Sequence, residues 1–210
     1  MAITFLRSIF GGAAHYHAPT IEDIQEDFFD AIACEHTDKL ADTCARHPDF
    51  NSWRDGKGRS PLQYAQDTNS LQSFITLLDK GASKYEDYGQ GWTPLMTAIN
   101  EQQDFFEDFL LDGEKNNLNA TATDKKGNTW TALHLATLRK DTGAIRELIE
   151  NGADITVKAK PKGAELTAEE YAKELGHDKQ AEMLNLAPEI HAMAQQRGLR
   201  PPAPVPVAMR

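Results

Sequence analysis

Thr131-Ala132-Leu133-His134-Leu135-Ala136, followed downstream by Leu148-Ile149-Glu150-Asn151-Gly152-Ala153-Asp154, is the stretch whose reading decides the fold. Thr131 can accept a hydrogen bond from a free amide and so cap a helix. Leu133 and Ala136, three residues apart, share one helical face, and the small alanine lets a neighbouring helix approach closely. The second stretch closes an amphipathic helix with an apolar pair, and Gly152 supplies the left-handed backbone that ends it.

The pattern recurs on both sides. Ser60-Pro61-Leu62-Gln63-Tyr64-Ala65, Thr93-Pro94-Leu95-Met96-Thr97-Ala98 and Thr167-Ala168-Glu169-Glu170-Tyr171-Ala172 align with it, their alanines spaced 33, 38 and 36 residues apart. Pro61 and Pro94 suit a first helical turn, where no amide donor is needed. Leu77-Leu78-Asp79-Lys80-Gly81-Ala82 and Phe109-Leu110-Leu111-Asp112-Gly113 repeat the second half. Short polar segments carrying Gly91 and Gly127 lead into the next hydroxyl cap and read as turns. The unit is turn, helix, helix, and a period of this length predicts a stacked array.

On these residues the chain resembles the ankyrin repeats, whose pattern centres on T-P-L-H-x-A and a later L-L-x-x-G-A-D. The resemblance covers about residues 20–187 as five units. In the first, Phe28, Ala31, Leu40 and Cys44 keep the expected offsets, Glu26-Asp27 replaces the hydroxyl and proline, and His47-Pro48 replaces Gly-Ala. The last has a polar outer surface with Glu169, Glu170, Glu174 and Glu182, as a capping unit requires. The expected fold class is all-α, an ankyrin-like right-handed solenoid of helix-turn-helix units with short turn or hairpin connections. Residues 1–19 read as an N-terminal strap or flexible segment, with Ile3, Leu6 and Phe10 at helical spacing; 188–210 reads as a helix remnant and a proline-rich tail. Glu114–Ala120 and Lys158–Ala164 lengthen the third and fourth connections, an insertion that costs little in loop-closure entropy.

Composition narrows the function. The formal charge of −10 has the wrong sign for a protein that neutralises nucleic-acid phosphates. No apolar run approaches the ~20 residues that span a bilayer. Two cysteines, Cys34 and Cys44, are too few for a disulfide scaffold, and Arg7 lies inside the early apolar stretch instead of ahead of it; a cytoplasmic protein is expected, export as an effector being compatible. Cys34, His36, Cys44 and His47 carry zinc-capable side chains at the wrong spacing, and Cys44 falls at a core position, so no metal is expected. Nucleophile elbow, phosphate loop and H-E-x-x-H patterns are missing from the sequence, so the chain reads as no enzyme, without a cofactor.

What remains is surface. Arg59, Trp92, Trp130 and Leu166 stand just before the hydroxyl caps, one per unit, and stacking aligns them into a ladder. Met96 lies in a second row with Gln63, His134 and Glu170, while Trp53, Tyr85 and Tyr88 add aromatics on the turns. Tryptophan, tyrosine and arginine are the side chains most enriched at binding hot spots. The resemblance implies a protein-protein interaction module that binds a partner on the concave turn and first-helix surface, and a monomer is expected. Net acidity favours a basic partner. The competing readings are a stoichiometric, immunity-type inhibitor of an enzyme or toxin with a basic site and, further off, a metal-dependent enzyme.

Overall fold

The computed structural model describes residues 18–111 and 118–196. Helices pair along the chain: α1 (Ile21–Ala33) with α2 (Thr37–Arg46), α3 (Pro61–Asp67) with α4 (Leu71–Asp79), α5 (Pro94–Glu101) with α6 (Asp104–Leu111), α7 (Ala132–Arg139) with α8 (Thr142–Glu150) and α9 (Ala168–Glu174) with α10 (Asp178–Asn185). Between α6 and α7 a two-stranded antiparallel hairpin, β1 (Ala122–Thr123) and β2 (Thr129–Trp130), pairs Ala122 with Trp130. A final helix, α11 (Ala187–Gln196), packs on α8 and α10. The fold is all-α. The strap expected at the N-terminus, the polyproline segment, Gly113 and most of the insertion Glu114–Ala120 lie outside the described residues.

Four of the five first helices begin as their sequence requires. Ser60 accepts from Gln63 N (3.1 Å), Thr93 from Met96 N (3.2 Å), Thr131 from His134 N (3.4 Å) and Thr167 from Glu170 N (3.2 Å). The first unit departs from the expected alignment. α1 starts six residues before Glu26-Asp27, at Thr20, whose side chain and Asp23 form a capping box, and Glu26 lies mid-helix. Asp23 satisfies the Thr20 amide at 2.9 Å, so the helix gains nearly two turns that the other first helices lack.

Each first helix also ends in one way. The carbonyls of Ala31, Ala65, Ala98, Ala136 and Ala172 accept from the amides of His36, Ser70, Gln103, Asp141 and His177, all at 2.8–2.9 Å. The residue before each donor has positive φ: Glu35 (54°), Asn69 (56°), Gln102 (56°), Lys140 (60°) and Gly176 (68°). This left-handed turn reverses the chain into the second helix. Four of its five positions carry side chains in a conformation that L-residues rarely adopt, so no glycine period marked it in the sequence.

First helices stack on first helices, α1 to α3 to α5 to α7 to α9, and second helices on second helices, α2 on α4, α6 on α8 and α8 on α10. Ala65, Ala98, Ala136 and Ala172 are fully buried, and Phe74 of α4 meets Phe106 of α6 edge-on at 5.0 Å. Polar side chains stitch neighbouring units. Gln66 Nε2 donates to Pro94 O and Gln103 Oε1, Gln103 Nε2 returns to Gln66 O, Ser73 Oγ donates to Ile32 O, and Gln180 Nε2 donates to Lys140 O. Gly91 is required on two counts: its φ is +84°, and an added Cβ would meet Thr121 O at 2.4 Å.

Because the alanines leave no spare volume, replacing Ala136 with leucine is expected to cost about 1–3 kcal/mol by overpacking. Urea denaturation followed by circular dichroism checks this; an unchanged midpoint would remove Ala136 from the stacking interface.

Candidate functional site

The connections between units form one edge of the stack, and an aspartate organises three of them. Asp55 Oδ1 accepts from the amides of Lys57 and Arg59, Asp87 Oδ1 from Gly89 and Gly91, and Asp124 Oδ1 from Lys126 and Asn128. Asp124 Oδ2 also accepts from Asn128 Nδ2 (2.9 Å) and Trp130 Nε1 (3.1 Å). The Asn128 side chain first, and then Trp130 and the backbone amides, hold its carboxyl down to about 2. The aspartate ladder has sequence spacings of 32 and 37 residues, a signal parallel to that of the alanines.

Adjacent turns are hydrogen-bonded to one another. Trp92 Nε1 donates to Thr123 O at 3.1 Å and Thr123 N to Gln90 O at 2.9 Å. Thr129 N donates to Lys160 O at 3.1 Å, and Lys160 N to Thr129 Oγ1 at 2.7 Å. Ala159 and Leu166 exchange both backbone bonds, so the segment carrying the Lys158–Ala164 insertion is a second short hairpin beside β1–β2.

His134 is buried beneath this edge. Its Nε2 lies 2.9 Å from Leu166 O, and its Nδ1 lies 2.7 Å from Thr131 Oγ1. A carbonyl only accepts, so Nε2 carries the proton and the Thr131 hydroxyl donates to Nδ1. Burial depresses the imidazole pKa below its usual 6.5, outweighing the bond to Leu166. The histidine clamps one unit's cap to the next unit's hairpin.

The ladder read from the sequence separates into two groups. Trp53, Trp130 and Met96 are buried, at 3%, 8% and 1% exposure, and the expectation that they face a partner is corrected. Trp53 meets Phe28 edge-on at 5.0 Å and donates Nε1 to Asp49 Oδ2. Trp130 packs edge-on against Tyr171 of the next unit at 6.0 Å. These indoles bind units together, since a large apolar body with one satisfied N–H suits a narrow interface. Arg59 is also engaged within its unit, donating to Asp55 Oδ2 (2.7 Å) and Asp67 Oδ2 (2.9 Å) with its guanidinium 4.7 Å from the Tyr64 ring centroid.

Trp92, Tyr88 and Tyr85 remain half-buried at the edge. Trp92 and Tyr88 line a groove of about 380 Å³ between turn 87–92 and the β1–β2 hairpin, with Gly89, Gln90, Thr123, Asp124 and Lys125. The Tyr88 hydroxyl is buried without a partner among the described residues, and burial pushes its pKa well above 10, aided by Glu86 and Asp67. At the other end, Glu22, Glu26, Phe29, Asp30 and Arg54 line a groove of about 370 Å³ beside Tyr64. Cys34 is exposed and Cys44 buried, its thiol pushed up to about 11 by burial and so far from a metal-binding thiolate. No group of three metal-capable side chains gathers among the described residues.

The ankyrin-repeat family model matches residues 76–159 in three copies. The chain is also similar to transient receptor potential cation channel subfamily V member 1 of Canis lupus familiaris, 30% identical over 141 residues, which is 56% of this chain and 17% of that protein. It therefore spans under a fifth of the length of that relative. Joined to the helix pairs, the hydroxyl caps and the shared turn chemistry, these matches define the class of the array: residues 76–159 are ankyrin repeats, and the helix pairs on either side continue the same fold. Ankyrin repeats are in general protein-protein interaction modules and typically non-enzymatic. No helix among the described residues is long and apolar enough to cross a membrane.

The His134 clamp has a pH signature. The unfolded chain takes up the imidazole proton near pH 6.5 and the folded chain only below that. The stabilisation is therefore complete above about pH 6.5 and is lost as pH falls from there through the folded value. Denaturation midpoints measured between neutral and mildly acidic pH should fall for the wild type and fall less for His134→Gln; parallel slopes would exclude His134 as their source.

Proposed function

We propose that this chain is a monomeric protein-binding module whose partner lies along the turn edge and the first-helix face, with the groove at Trp92 and Tyr88 as its centre. One observation carries the reading. Trp92 is the ladder tryptophan left partly exposed, and its indole N–H already has a partner in Thr123 O. A ligand then covers only the apolar face of the ring, without stranding a polar atom, which is the arrangement that makes tryptophan a hot spot.

The acidic first unit favours a basic segment of the partner. Residues 18–53 carry a net charge of −7, and Glu22, Glu26 and Asp30 are exposed around the groove beside Tyr64. Opposite charge steers encounter and fixes orientation more than it adds affinity. Stoichiometric inhibition of an enzyme with a basic site is the narrower form of this reading, and the same acidic groove supports it.

The test is affinity capture from native lysate with wild type and Trp92→Ala, each matched for circular dichroism and melting temperature. A protein enriched by the wild type should drop about tenfold or more with the variant, the loss expected of a hot-spot side chain. Capture unchanged by a folded Trp92→Ala protein would move the binding surface off this groove.

A further inference from the structure

The chain is acidic, yet one part of its turn edge is basic. Residues 122–130 and 158–166 form the two adjacent hairpins joined by the Thr129 and Lys160 bonds. Together they hold Lys125, Lys126, Lys158, Lys160 and Lys162 against Asp124 and Glu165, a net charge of +3. All five lysines are exposed.

The neighbouring carboxylates already have partners. Asp124 accepts four hydrogen bonds within its own hairpin. Glu165 pairs with Lys160 at 3.1 Å, and Glu170 turns back to cap the Thr167 amide at 2.8 Å. Lys125 and Lys126 have no ion pair among the described residues, and Lys162 sits 6.0 Å from the Tyr171 ring centroid. The acidic first unit does not cancel this field. Helices pack about 8–10 Å apart, and physiological salt screens exposed charges beyond about 8 Å, so units two or more away contribute little.

Lys125 also lines the groove at Trp92 and Tyr88. The groove, which Asp124 lines as well, therefore opens directly onto Lys125, with Lys126 next to it in the same turn. From this juxtaposition we propose that the groove and the two lysine hairpins take an extended acidic segment of a partner protein. One apolar side chain of that segment seats against Trp92, and its carboxylates run over Lys125, Lys126 and Lys162. This rests on the reading of the array as a protein-binding module and gives that module a direction: basic segment toward the first unit, acidic segment toward the hairpins.

The experiment is a titration of the full, isotope-labelled chain, watched through its amide and indole resonances. The probe is a short glutamate-rich peptide with one central leucine, run against its lysine-rich counterpart at low and at physiological salt. The glutamate peptide should shift amides in 123–127 and 158–162 together with the Trp92 indole, and salt should weaken it several-fold. The combined variant Lys125→Glu/Lys126→Glu/Lys162→Glu should keep a folded spectrum and lose the response. Should that variant lose its fold, Lys126→Gln/Lys162→Gln should still reduce the response. The inference is overturned if the glutamate peptide shifts none of these resonances, if the lysine peptide shifts the same ones, or if charge removal leaves the response intact. A partner captured through Trp92 but indifferent to charge reversal would keep the module reading and remove this one alone.

Discussion

A methyl group where a larger side chain would otherwise stand governs this structure. Ala65, Ala98, Ala136 and Ala172 have no exposed surface. Each does two things at once. Its side chain lets the next first helix approach, and its carbonyl accepts the amide five residues on that turns the chain into the second helix. Packing distance and chain reversal are thus set at one residue, and a change there disturbs both. The caps, the hairpins and the stitching glutamines take their positions from that spacing.

The functional edge follows from the same geometry. Stacking brings successive turns within hydrogen-bond reach, and side chains that looked free in a linear reading become connectors. Trp130 reaches Tyr171 of the next unit and Trp53 reaches Phe28 of the first, while Arg59 is tied within its own unit by two aspartates. Trp92 connects through its N–H and part of its ring, which packs against the core, and leaves the rest of the ring at the groove. Where the turn places the ring decides whether a tryptophan is buried at an interface or left at the groove, and Trp92-Thr93 and Trp130-Thr131 look alike in sequence.

The period, the hydroxyl caps and the core alanines were legible in the sequence because each is a single residue type with one physical task. Cys44 as a core residue was legible for the same reason. The early start of α1 was missed because Thr20 and Asp23 form their box outside the repeat period. The inter-helix reversal was invisible because Glu35, Asn69, Gln102 and Lys140 adopt positive φ under tertiary constraint, where composition suggests nothing. Burial of Trp53, Trp130 and Met96 was unreadable since residue type alone does not separate a hot spot from an interface plug. The basic hairpins were hidden by averaging: a net charge describes the whole chain, whereas a partner meets a few side chains.

The stitching bonds span 28 to 42 positions in sequence, reaching the neighbouring unit and no further. Such an array resembles a line of coupled springs more than a single globule, with stability distributed as local and nearest-neighbour contributions. Melting can then begin at an end and advance one unit at a time, and α11, held to Ile149 O through His191, retards it on one side. Rigidity is therefore graded along the array, greatest in the central units that have a neighbour on both sides and least in the first, which has one.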